Sequence, residues 1–219
     1  MKWELICRKN ISWIDLEQHQ SELVQTVHKD PKTAFLLCSE PQPTFTYGRN
    51  SLPTDLLWSK DYLESHQIKV YPVSRGGKWT YHGPGQILIY PIMHLPTWGY
   101  SSRSVQAFLE DFRLGTLEGL INLGLQGIIP GEPFGLYLDN KKLASFGLAF
   151  QRGVSSHGVA LYHQDQNQYL EGINPCGVKC GLSTALVSHL NPSPSWDSVA
   201  NTVAQEVKNR FSLRLTQVL

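Results

Sequence analysis

Four glycines and a proline fall within the twelve residues Arg75-Gly-Gly-Lys-Trp-Thr-Tyr-His-Gly-Pro-Gly-Gln86, a density that a helix interior does not tolerate. Apolar runs at 68–73 and 87–92 flank this segment and read as strands. The chain therefore passes from strand to strand here with no helix between. Residues 3–7, 34–38 and 158–162 read as further strands, and 135–138 and 142–150, joined by Asp139-Asn140-Lys141, read as a hairpin. Helical spacing occurs three times. Ser12 precedes Trp13, Leu16, Leu23, Val24 and Val27; Ser104 precedes Val105, Phe108, Phe112, Leu117, Leu120 and Ile121, with Gly124 as a stop; Ser195 opens a helix to about Asn209 that carries Val199, Val203 and Val207. Strands outnumber helices without strict alternation, which predicts a mixed α+β fold and excludes a regular parallel Rossmann arrangement.

At 219 residues the chain can bury a sizeable core, and 41% hydrophobic against 17% charged residues exclude a disordered chain. The segment 191–195 is the best linker candidate, but only one helix follows it, so residues 1–219 are expected to form a single domain. No apolar run reaches the roughly 18–20 residues of a membrane span. Charge interrupts the N-terminus too early for a secretory signal, so a cytoplasmic location is expected. Cys7, Cys38, Cys176 and Cys180 are too sparse for a disulfide scaffold, and the spacing of Cys176 and Cys180 predicts no zinc site. The formal charge, 19 − 18 = +1, offers no global field for nucleic acid. Residues 65–109 nevertheless contain no acid while holding Lys69, Arg75, Lys78 and Arg103. They form either a basic surface for an acidic partner or charges scattered over several faces.

Two segments carry chemistry. In residues 75–86, Gly76, Gly77, Gly83 and Gly85 let a ligand approach backbone, Arg75 can hold an anionic or carbonyl group, and His82 can donate, accept or titrate. In Asn174-Pro-Cys-Gly177, Pro175 restrains the backbone and Gly177 leaves the sulfur unobstructed. Cys176 is then either a nucleophile or a small core thiol. A free thiol near pKa 8.5 is only a few per cent thiolate at neutral pH, so a nucleophile needs a partner. Lys179 is the local option; His82, His157 and Lys142 are the distant ones.

The segment 75–86 closely resembles the signature of the octanoyl-(acyl carrier protein):protein N-octanoyltransferases, the lipoate-protein ligase B family. Lys142-Leu-Ala-Ser-Phe-Gly147, Ser156-His-Gly-Val-Ala160 and Pro175-Cys-Gly177 match further blocks in the expected order, and Phe45-Thr-Tyr-Gly-Arg49 resembles an early turn. The resemblance covers about residues 40–187. It implies the biotin/lipoate protein ligase-like fold, a curved mixed sheet flanked by helices. It places Cys176 on the acyl-thioester nucleophile and Lys142 on the lysine that lowers its pKa. It places Arg75, Gly76, Gly77, Lys78, Trp79, Thr80, Tyr81 and His82, with Ser145, Phe146, Gly147, Gly158, Val159 and Ala160, on substrate-binding positions. Strand alternation sends Lys141 to the opposite face from Lys142.

The implied reaction needs no cofactor and no metal. Octanoyl-acyl carrier protein would be the donor; lipoyl domains of 2-oxoacid dehydrogenase complexes and the glycine cleavage H protein would be acceptors, with neither nucleic acid nor membrane involved. Two departures concern the acyl pocket: Leu161-Tyr162 stands where the family continues Leu-Asn, and Tyr137 where a tryptophan is common. The alternatives are an ATP-dependent lipoate or biotin ligase, an amidotransferase between lipoyl proteins, and an inactive carrier-protein-binding module.

Overall fold

The computed structural model describes residues 1–101, 105–174 and 183–218. The strands are β1 (Lys2–Ile11), β2 (Thr33–Pro41), β3 (Thr44–Tyr47), β4 (Lys69–Pro72), β5 (Trp79–His82), β6 (Gln86–Ile92), β7 (Ile129–Gly131), β8 (Gly135–Leu138), β9 (Lys141–Gln151) and β10 (Val154–Tyr162). The helices are α1 (Trp13–Lys29), α2 (Lys60–Ser65), α3 (Val105–Asn122), α4 (Asn167–Leu170) and α5 (Trp196–Val218).

Seven strands form one mixed sheet in the order β1-β2-β6-β10-β9-β8-β7, parallel only between β1 and β2; β4-β3-β5 form a second, smaller sheet. Helices α3 and α5 cover one face of the large sheet over a core that includes Trp98, Tyr100, Phe108, Phe112 and Phe211. Helix α1 covers the other face through Trp13, Leu16, Leu23, Val24 and Val27. A third apolar cluster, with Phe45, Leu63, Ile68, Trp79, Tyr81 and Leu170, supports the small sheet.

Local chemistry explains most boundaries. The Ser12 hydroxyl accepts the Asp15 N–H at 3.2 Å and starts α1. Asp139 and Asn140, at φ 51° and 61°, make the two-residue turn that closes the β8–β9 hairpin.

Three expectations need correction. The glycine-rich segment contains a strand of its own that the flanking-strand reading lacks: Trp79–His82 is β5, because its backbone pairs antiparallel with β3. Helix α5 runs past residue 209, since Phe211 extends the buried stripe of Val199, Val203 and Val207 at i+4 spacing. Ile121 is 51% exposed, on the outer face of α3. The proposed cap Ser104 and the cation Arg103 lie outside the described residues.

Candidate active site

A cavity of about 250 Å³ opens between the large sheet and the segment leading into β5. Its walls come from pairings between distant blocks of sequence. On β9 and β10, Ser145 lies opposite Ala160, Phe146 opposite Val159 and Gly147 opposite Gly158. The glycine segment is tied to the same strand pair, as Gly76 N–H donates to Leu148 O at 3.2 Å.

Of the sequence-predicted site residues, Arg75, Gly76, Gly77, Lys78, Trp79, Thr80, His82, Lys142, Ser145, Phe146, Gly147, Gly158, Val159 and Ala160 all line this cavity. Tyr81 does not. It is fully buried on the other side of β5, stacked on Tyr169 at 4.2 Å, because strand alternation turns it away from Thr80 and His82. Gly83 and Gly85 are outside the lining too: a Cβ at Gly83 would strike the Tyr81 ring, and one at Gly85 would meet Gln166 Nε2 at 2.6 Å. Those glycines serve packing. Cys176 lies outside the described residues.

Arg75 bears on the two readings of the acid-free stretch. It is buried, and its Nη1 and Nη2 donate to Gly76 O (3.0 Å), Lys78 O (2.9 Å), Thr46 O (3.1 Å) and Thr46 Oγ1 (2.8 Å). The guanidinium thus shapes the glycine segment from within and is not a surface cation for an acidic partner. Of the other cations in that stretch, Lys69 is exposed and Lys78 half-buried on the cavity rim.

Lys142 is half-buried on the cavity wall, its ammonium 5.4 Å from the centre of the Tyr137 ring, while Lys141 is exposed. The segment following residue 182 returns to the same strand: Ser183 bridges Lys142, and Thr184 N–H donates to Lys142 O at 3.0 Å.

The two site histidines are held neutral. Burial, reinforced by the Arg75 charge, pulls both His82 and His157 down to about 3. His82 Nδ1–H donates to Gln86 Oε1 at 3.1 Å, because Gln86 Nε2 is committed to Tyr81 O at 3.0 Å. That tautomer leaves Nε2 as an acceptor, buried and without a hydrogen-bond partner among the described residues. Neither ring is therefore suited to be the cationic partner of a thiolate. Burial also pushes Glu17, on α1, up to about 7 against the opposing pull of Arg75; its carboxylate lies 3.7 Å from His157 Nδ1.

Sequence reasoning missed Leu88, Tyr90, Pro133, Phe134, Leu170 and Ser183, which also line the cavity; His157 was considered only as a thiol partner and Tyr162 only as a departure. Leu88 and Tyr90 were within reach, being alternate residues of one strand face. Tyr162 is buried in the lining with its hydroxyl 3.4 Å from Ser145 Oγ. The site is mostly apolar, with Lys142 at its wall, Lys78 at its rim, the Arg75 guanidinium tied to backbone and two neutral imidazoles. It suits an acyl chain better than a charged ligand.

Residues 17–208 match the family model of the lipoyl protein ligase A/B catalytic domain. An octanoyltransferase of Syntrophobacter fumaroxidans is 35% identical over 181 residues, 83% of this chain and 77% of that protein. An octanoyltransferase of Chromohalobacter salexigens is 31% identical over 204 residues, 93% of this chain and 88% of that protein. A bi-partite lipoate protein ligase from Thermoplasma acidophilum shares the fold, with a TM-score of 0.78 over 96% of this chain and 84% of that one at 14% identity.

Proposed function

Since the chain belongs to the lipoyl protein ligase A/B catalytic domain family, we propose that it is an acyltransferase that moves an octanoyl group from octanoyl-acyl carrier protein to a lysine of lipoyl domains, residues 1–219 acting as one catalytic domain. The observation that carries this reading is Lys142 on the wall of a largely apolar cavity whose other walls are the paired blocks 145–147 and 158–160. The octanoyltransferase relatives support the transfer chemistry.

Cys176 is the proposed nucleophile. Its support is the Pro175-Cys176-Gly177 motif, together with Leu170 and Ser183, which bracket it in sequence and both line the cavity. In the first step the Cys176 thiolate attacks the thioester carbonyl, a new C–S bond forms, and the carrier's thiol leaves with a proton from the Lys142 ammonium. One thioester replaces another, so no ATP is consumed. In the second step the incoming lysine attacks the acyl-enzyme as its free amine, and Lys142, now neutral, takes the proton that the amine nitrogen sheds as the C–N bond forms. The amide forms and Cys176 leaves as a thiolate. The half-burial of Lys142 supports its role, because an ammonium screened from water stabilises a nearby thiolate more strongly than an exposed one. The neutral histidines hold and shape the substrate, with His82 Nε2 the available acceptor. Leu88, Tyr90, Phe146, Val159 and Ala160 flank the acyl chain.

The test is intact-protein mass spectrometry after mixing with octanoyl-acyl carrier protein, without ATP. An octanoyl adduct that is absent from Cys176→Ser and passes to a lipoyl domain is the expected result. No adduct without ATP, but modification once ATP and free octanoate are supplied, would reassign the chain to the ligases.

A further inference from the structure

Strand β6 carries Pro91 inside the large sheet, where proline is disfavoured because it has no N–H to give to a ladder. Two steps along each strand from the Val159–Ile89 pair bring His157 opposite Pro91. Beyond the gap the contact resumes, with Ser155 N–H donating to Met93 O at 3.0 Å. Two side chains serve the backbone groups at the gap. Ser155 Oγ donates to Pro91 O at 2.7 Å, and the His157 N–H donates to Gln20 Oε1 at 2.7 Å.

At this break His157 adopts φ 57°, a left-handed conformation that residues with a Cβ rarely take. Gly158 lies so close to the Ile89 carbonyl that a Cβ there would collide with it. Such a conformation persists only when its surroundings over-determine it. Both residues line the cavity. Gln20 contributes nothing to that lining, yet it is a buried amide in the otherwise apolar inner stripe of α1. A buried amide in such a stripe is costly unless its hydrogen bond matters.

We propose that Gln20 is a positioning residue for acyl transfer: by accepting the His157 N–H it holds the His157–Gly158 break that shapes one wall of the cavity. Ser74 Oγ, 3.2 Å from His157 Nε2, and the edge-on Tyr90 ring, 5.6 Å between centroids, secure the imidazole itself. Gln20 alone, among these contacts, addresses the backbone. The proposal rests on the octanoyl-transfer reading for its activity measurement only.

The experiment compares Gln20→Met, which keeps the volume and loses the acceptor, with Gln20→Glu, which keeps an acceptor. Amide hydrogen exchange at His157 is read by NMR, and kcat and KM for octanoyl transfer are measured on the same preparations. The expected result for Gln20→Met is His157 exchange faster by about a hundredfold and kcat lowered about tenfold with KM little changed. Gln20→Glu should stay within about threefold of wild type in both. Unchanged exchange in Gln20→Met overturns the proposal. So does faster exchange with kcat and KM both unchanged, which would make the contact structural only. Failure of the wild type to transfer octanoyl would sink the functional reading instead. Sodium octanoate binding, followed at the Gly147 and Val159 amides, would then decide: weaker binding by Gln20→Met supports the proposal, and equal binding or none by either protein overturns it.

Discussion

The two faces of the large sheet are built to different rules. Under α3 and α5 the interior is aromatic: Phe108 and Phe211 stack at 5.0 Å with planes 2° apart, and Tyr100 meets both rings edge-on. Under α1 the interior holds Gln20, the raised carboxyl of Glu17 and the neutral ring of His157, with Arg75 and His82 alongside. The first face gains from close packing, and only its edge, at Phe146 and Val159, reaches the cavity. The second accepts buried polar groups that cost stability, and it is the face that opens into the cavity.

This contrast can be broken by perturbing one face at a time. The largest effect is expected for Lys142→Ala, with octanoyl transfer falling about 10³-fold while the unfolding midpoint moves little, measured by single-turnover transfer and calorimetry. A loss below tenfold would remove Lys142 from acid–base chemistry. On the opposite face, Phe108→Ala should cost about 3–5 kcal/mol in urea unfolding, with kcat per folded molecule unchanged. A selective fall in kcat there would show that the faces are not independent.

Acid should affect the α1 side. His82 and His157 titrate near 3 in the fold against 6.5 when exposed. The unfolded chain therefore binds more protons as pH falls from 6.5 towards 3, and stability drops by up to about 1.4 kcal/mol per pH unit for each ring. In His157→Asn, whose side chain tolerates positive φ, the fall should be shallower. Denaturant midpoints at pH 7.5, 6 and 5 check this, and parallel slopes would contradict it. Glu17 gives the smallest effect and the opposite sign. Its carboxyl titrates near 7 in the fold against 4.5 when exposed, so ionisation is penalised as pH rises through that window. Glu17→Gln should gain about 1–2 kcal/mol at pH 8, after allowing for the part of the side chain that reaches solvent, and nothing below about pH 4.5.

Much of the first layer of this organisation was readable from local pattern. Ser12 and the stripe of α1, the two-residue turn at Asp139-Asn140 and the opposite orientations of Lys141 and Lys142 depend on neighbours a few residues apart. The motif blocks identified most of the cavity lining, but as a list without an arrangement. Tyr81 shows the limit: it sits inside the motif between two lining residues, yet faces the small sheet's core. Arg75 shows another, because only the folded chain brings Thr46 to its guanidinium.

The sequence by itself determined the mixed α+β class, the amphipathic helices and the residue types from which acyl transfer can be built, since periodicity and short motifs are properties of contiguous chain. Tertiary structure alone decided which of those residues share a wall, that both histidines are neutral, and that Pro91 and His157 meet at a break closed by Gln20. Charge states follow from burial, and burial is set by whichever segments pack together. Gln20 and His157 stand 137 positions apart, a separation across which no local pattern carries information.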